Sequence, residues 1–299
     1  MKHMKVTFLG TGNAIPTKLR NHSAIIVELE NETVLVDCGE GTQRQFKYAQ
    51  FSPHKINRLF ITHWHGDHIL GIPGFLQTLA MTDYQKTLHI YGPRGTEKQM
   101  EAIRQIMLGI RIKIEVHEIS KGIVLENKVF QIVAEEMNHD IPTLAYSFIL
   151  KDTLRLDKKK LKKFKIPNSP ILRNLQEGKD IIIEGKKIKS SQVSYLEKGK
   201  KLTIILDTAF NKEAINLARN SDLLIAESSF LSEEAERAKE YKHLTAKDAA
   251  TIAKQSKSKQ LILTHISQRY EHAPQLIEKE AKKVFKNTKL VKDLDSIKL

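Results

Sequence analysis

Short runs of apolar and β-branched residues alternate with longer stretches of helical period along most of this chain. Val6–Leu9, Ala24–Glu30 and Thr33–Val36 read as strands, with the polar Asn31-Glu32 pair turning the second into the third. Leu59-Phe60-Ile61-Thr62 is a further strand, followed by Thr87–Tyr91, Val129–Glu135 and Leu144–Leu150. Helical spacing appears over Glu40–Gln50, Ile69–Met81 and Thr96–Leu108. In the second half, Leu202–Leu206, Leu223–Ala226 and Gln260–Leu263 are apolar strands. Helices are expected between them at Lys212–Arg219, Ser232–Tyr241 and Ala246–Gln255. The alternation predicts an α/β protein in two halves, each a sheet with helices outside. Ionisable residues recur at the strand ends, where such folds build their sites.

Residues 151–201 break the pattern. They hold 16 Lys and Arg against six Asp and Glu, a surplus of ten positive charges. Ile166-Pro167-Asn168-Ser169-Pro170 stops any helix there, and Ile181-Ile182-Ile183 reads as a short strand. A segment this basic is a solvated insertion or an arm for phosphates, and a metal enzyme favours the arm. The whole chain carries a formal net charge of +14, so most of the excess is local. Such a balance favours a polyanionic partner, nucleic acid or a membrane surface, although simple solubility also accounts for it. The apolar share of 40% supplies a real core for 299 residues. Cys38 is the only cysteine, so no intramolecular disulfide forms, and no apolar run nears the roughly 18 residues of a membrane span. Met4–Gly10 leads straight into a strand and a glycine turn, which makes the cytoplasm the expected setting.

Chemistry concentrates in His63-Trp64-His65-Gly66-Asp67-His68, directly after the strand at Leu59. Three imidazoles and a carboxylate in six residues suit zinc and its first-row neighbours. The spacing differs from HExxH, in which two histidines share a helix face. Here the ligands lie on a tight loop, close enough to serve two adjacent metals. Two ions need more donors than the loop holds. Three candidates end other strands: His139, Asp207 and His265, the carboxylate being able to bridge. Six other histidines, His3, His22, His54, His89, His117 and His272, fit no such pattern and read as surface or core residues.

With these residues the chain resembles the metallo-β-lactamase superfamily. Within it, the chain resembles the ribonuclease Z family of endonucleases that trim the 3′ end of precursor tRNA. The opening Gly10–Asn21 is similar to that family's PxKxRN loop. Asp37-Cys38-Gly39-Glu40-Gly41-Thr42-Gln43, the HxHxDH loop, His139 with Pro142 and Tyr146, and Leu263–Tyr270 complete the likeness. The resemblance implies an αββα four-layer sandwich formed by one domain over residues 1–299, with the basic flexible arm at 151–201 as an exosite. It implies two Zn2+ per chain, with Mn2+ or another divalent ion as alternatives. His63, His65 and His139 would hold one ion, Asp67, His68 and His265 the other, and Asp207 would bridge them.

By the same resemblance, Asp67 orients the nucleophile, and Glu227 with His243 delivers a proton to the leaving oxygen. Lys18, Arg20 and Asn21 would handle RNA near the scissile phosphate, or form an ordinary interstrand loop. Lys158, Lys159, Lys160, Lys162 and Lys163 would grip the phosphate backbone. A homodimer and a precursor tRNA partner follow too. Some neighbours depart from the family pattern: Leu206-Asp207-Thr208 replaces Gly-Asp-Thr, and Ala226-Glu227-Ser228-Ser229 replaces His-Glu-Ala-Thr. His243-Leu244-Thr245 replaces His-Ser-Thr, and the arm lacks a clear Gly-Pro motif. Competing readings are another hydrolase of this fold (thioesterase, lactonase, aryl sulfatase or small phosphodiesterase) and a non-catalytic RNA-binding protein.

Overall fold

A computed structural model describes residues 4–107, 109, 111–183 and 185–299. Two seven-stranded mixed sheets face each other. The first runs from edge to edge through Ser296–Lys298, Met4–Gly10, Ala24–Leu29, Glu32–Val36, Arg58–Phe60, Leu88–Gly92 and Ile114–Glu118. The second runs through Thr288–Leu290, Leu261–Thr264, Leu223–Glu227, Lys200–Ile205, Leu144–Leu150, Phe130–Glu136 and Gly122–Glu126.

Period-two alternation explains the layering. Val6, Phe8, Ile25, Val27, Phe60, Tyr146, Phe148, Leu202 and Ile204 point between the sheets and form the central core. Their strand neighbours point outward and need a cover. Leu9, Ile26, Leu35 and Leu59 pack against helices Thr42–Tyr48, Ile72–Met81 and Thr96–Ile106. On the other side Ile205, Leu224 and Leu263 meet Lys212–Ala218, Ala246–Gln255 and Gln275–Val284. The result is the expected αββα order.

Several elements differ from the sequence expectation. The two halves are interlocked, because the terminal strand Ser296–Lys298 returns to the first sheet and pairs with Met4–Gly10. That strand, Ile114–Glu118, Gly122–Glu126, Thr288–Leu290 and the helix Gln275–Val284 lay outside the expected elements. Charged residues such as Glu115, Glu118, Lys289 and Lys298 interrupt the apolar pattern at these sheet edges. The expected helix Ile69–Met81 is split into Gly66–Ile69 and Ile72–Met81. Gly71 sits at the break, where an added Cβ would lie 2.0 Å from the Gly39 carbonyl oxygen. The expected helix Ser232–Tyr241 starts as a 3-10 turn, Ser232–Glu234, before Ala235–Glu240. The Glu280 carboxylate accepts from the Ser232 backbone and hydroxyl there. Leu108, the expected end of a helix, and His3 lie outside the described residues.

The basic segment folds around a core of its own. Thr153–Leu156 pairs antiparallel with Ser194–Glu197 as a stalk. Beyond it come the helices Lys158–Lys163 and Ile171–Gln176, the hairpin Ile181–Ile183 with Lys186–Ile188, and the turn of helix Ser190–Val193. Ile166, Leu175, Ile181, Ile188 and Val193 are buried together inside it. Asp157 caps the first helix by accepting from the Lys159 and Lys160 amides.

Candidate active site

The HxHxDH residues leave the first sheet after Phe60, and Asp67 and His68 already belong to the short helix Gly66–Ile69. From the second sheet come His139, Asp207 and His265, each just past a strand end. Asp37, Asp207 and His265 have φ of 57°, 37° and 59°, the left-handed region that non-glycine residues seldom occupy. Such backbone strain clusters at sites whose surroundings hold it in place.

Two groups of donors result. His63 Nε2 and His139 Nε2 lie 3.1 and 3.2 Å from His65 Nδ1. His68 Nε2 and His265 Nε2 lie 3.2 Å apart, and Asp67 Oδ2 is 3.4 and 3.3 Å from them. Asp207 stands between the groups. Its Oδ2 is 3.5 Å from His63 Nε2 and 4.0 Å from His139 Nε2. Its Oδ1 is 3.4 Å from His68 Nε2 and 3.2 Å from His265 Nε2, and is buried with no hydrogen-bond donor. Donors around a tetrahedral ion at about 2.0–2.1 Å stand roughly 3.3–3.4 Å apart, so the residues fit two divalent ions with a shared carboxylate.

The far side of these rings is also engaged. His68 Nδ1 faces Asp37 Oδ2 at 2.7 Å, and His63 Nδ1 faces Thr62 Oγ1 at 3.0 Å. His139 Nδ1 faces the Lys242 carbonyl at 3.3 Å, and His265 Nδ1 faces Ser229 Oγ at 3.1 Å. An acceptor at Nδ1 fixes the tautomer that leaves Nε2 free to ligate. Charge follows the same plan. Burial opposes ionisation of Asp67 and Asp207, yet the surrounding histidines hold both below the usual carboxylate range. Burial, and then His68, push His63 well below its ordinary value. Burial would lower His68 too, but Asp207, Asp67 and Asp37 lift it.

Glu227 and His243 meet beside this cluster. His243 Nδ1 is 3.0 Å from both Glu227 oxygens. The fully buried carboxylate also accepts from the Thr208 amide and the Ser229 hydroxyl, each at 2.8 Å. Burial would lower the His243 pKa; Glu227 and Asp207 outweigh it and raise it to about 9. The Ser229 hydroxyl thus connects His265 to the Glu227–His243 pair.

Residues 4–156 match the family model described as "Anti-Pycsar protein Apyc1". Ribonuclease Z of Nanoarchaeum equitans is 39% identical over 89% of this chain and 84% of its own length. Ribonuclease Z of Protochlamydia amoebophila is 38% identical over 97% of this chain and 94% of its own. The chain belongs to the ribonuclease Z family. The human tRNase Z short form superposes with a TM-score of 0.71 at 26% identity, covering 98% of both chains. A Bacillus subtilis metallo-β-lactamase-fold protein, YhfI, reaches 0.73 at 19% identity over the full length of both, a likeness of fold. The Apyc1 model ends at residue 156, just inside the basic segment, whereas a ribonuclease Z relative covering 97% of this chain runs through it.

Against this ribonuclease Z frame, Lys18, Arg20 and Asn21 separate. Lys18 is exposed. Arg20 is only 7% exposed, and its Nη1 donates to Thr11 Oγ1 at 2.7 Å and to the Val291 carbonyl at 2.8 Å. These bonds anchor the loop to the C-terminal segment. Asn21 is likewise turned to the protein, donating to the Glu40 carbonyl at 2.7 Å. Lys158, Lys159, Lys160, Lys162 and Lys163 are exposed on the arm, and among the described residues none is ion-paired. Asp37 entered the sequence reading only as part of a motif, and Thr62 and Ser229 had no role. The hydroxyls carry no periodic signal, because only the fold brings them to the rings.

Proposed function

We propose that this chain is an endoribonuclease that removes the 3′ trailer from precursor tRNA by hydrolysing one phosphodiester. The observation carrying the reading is Asp207, whose two oxygens face two separate histidine groups. His63, His65 and His139 would hold one Zn2+, Asp67, His68 and His265 a second, with Asp207 shared. When bound, such a pair of ions offsets phosphate charge and makes an attacking water available at neutral pH.

The protein's own groups do the rest. Asp67 accepts a hydrogen bond from the attacking water and aims it at phosphorus. His243, held protonated by Glu227, donates its proton to the departing 3′ oxygen. Ser229 and the Thr208 amide fix the Glu227 carboxylate, so the imidazolium faces the cluster rather than solvent. The exposed arm lysines bind the tRNA backbone without reading bases. The family resemblance supports a homodimer, in which one arm serves the partner's site, and a cytoplasmic setting.

The test incubates a 3′-extended precursor tRNA with metal-reconstituted protein and with a chelator-stripped control, mapping 3′ ends at nucleotide resolution. One metal-dependent cut just past the discriminator base is expected. No cut by the zinc-loaded protein, together with turnover of a thioester or lactone, would assign it to another hydrolase of this fold.

A further inference from the structure

Two histidines read from sequence as surface or core residues share a cluster away from the site above. His89 and His117 lie with Glu115 on the last two strands of the first sheet, Leu88–Gly92 and Ile114–Glu118. The parallel register pairs His89 with Glu115 and Tyr91 with His117. Strand alternation therefore sets all three side chains on one face. His89 Nδ1 is 3.2 Å from His117 Nε2 and 3.3 Å from Glu115 Oε2. One donor atom from each residue lies within 4.8 Å of the other two. The spacing from His89 matches the roughly 3.3 Å edge of a tetrahedral zinc site.

We propose that His89, Glu115 and His117 form a metal site of their own, binding one divalent transition-metal ion with solvent in the remaining position. Its ligands are set in advance. The His117 ring stacks on Tyr91 at 4.6 Å and 16°, and Tyr91 stacks on the buried Phe60 at 4.7 Å and 14°. The other Glu115 oxygen, Oε1, pairs with Lys113 at 2.9 Å, leaving Oε2 turned to the histidines. Arg58, whose charge also acts on His89, is itself paired with Glu32. Burial lowers the His89 pKa against the pull of Glu115. All three residues are half-buried, so an ion has a path from solvent. Two imidazoles and a carboxylate favour Zn2+, Ni2+ or Cu2+ over Mg2+ or Ca2+, which take oxygen ligands. The ion would tie the edge strand Ile114–Glu118 to its neighbour.

The test compares the full-length protein with His117→Ala and Glu115→Gln, all stripped with chelator, reloaded with the same free Zn2+ and freed of excess by gel filtration. Zinc per chain is counted by mass spectrometry. Each variant is expected to hold one zinc fewer than the wild type. Equal zinc in all three proteins overturns the proposal. Glu115→Gln preserves side-chain size, so its loss of zinc reports a missing ligand and not a lost fold. The count needs no RNA and stands apart from whether precursor tRNA is cleaved.

Discussion

Asp67 and His243 occupy neighbouring places and make different predictions. Asp67 Oδ2 touches His68 and His265, so Asp67→Ala removes a donor and, in the proposed mechanism, the group that aims water. Turnover of precursor tRNA should be nearly abolished even in metal-saturated protein; near-wild-type rates would refute the assignment. His243 stands one step back, bonded to Glu227. Its substitution by alanine should slow cleavage by about 10²–10⁴-fold, the usual worth of a general acid. Zinc content, read by mass spectrometry, should be unchanged; its loss would make His243 a ligand. Asp37 touches no substrate, yet its Oδ2 holds His68 Nδ1 at 2.7 Å and both its oxygens accept from Thr62. Asp37→Ala should weaken zinc binding by about 10–100-fold in a chelator-competition titration. The donors themselves were legible in sequence because histidines and aspartates at strand ends are unusual. Their supports were not, since a threonine, a serine and a carbonyl acquire meaning only through proximity.

At the scale of elements, the basic segment is the one that sequence composition marked and geometry reshaped. It was expected as a flexible arm, and it folds on its own small core above a two-stranded stalk. Deleting Asp157–Lys189 removes that core and its lysines while leaving both large sheets and their helices intact. Hydrolysis of a small phosphodiester should survive, while precursor tRNA cleavage collapses. Equal loss on both substrates would make the segment structural. In the intact protein the same lysines should give affinity that falls linearly in log–log form with salt, the mark of counterion release. The Gly10–Asn21 loop was marked by its likeness to the PxKxRN pattern, and its arginine ties that loop to the C-terminal segment at Val291.

The molecule as a whole is two sheets pressed face to face, with the site at one rim where strands from both end. Phe60 lies at the centre of that interface, stacked on Tyr91 and edge-on to Tyr146 and Phe148 at 5.1 and 6.1 Å. Phe60→Ala should cost about 3–5 kcal/mol of stability, measured by denaturant unfolding, because a rigid interface collapses poorly into the space. A cost below about 1 kcal/mol would mean that the sheets close over the gap. By itself the sequence determined the α/β class, the central strands and helices, and the seven candidate donors that the fold gathers into two groups. These depend on local period and residue type, which the chain carries wherever it folds. Only the tertiary structure decided that the last strand returns to the first, that Ser229 stands behind His265, and that Arg20 turns inward. Those facts depend on residues far apart in sequence meeting in the fold, and no local pattern records such meetings.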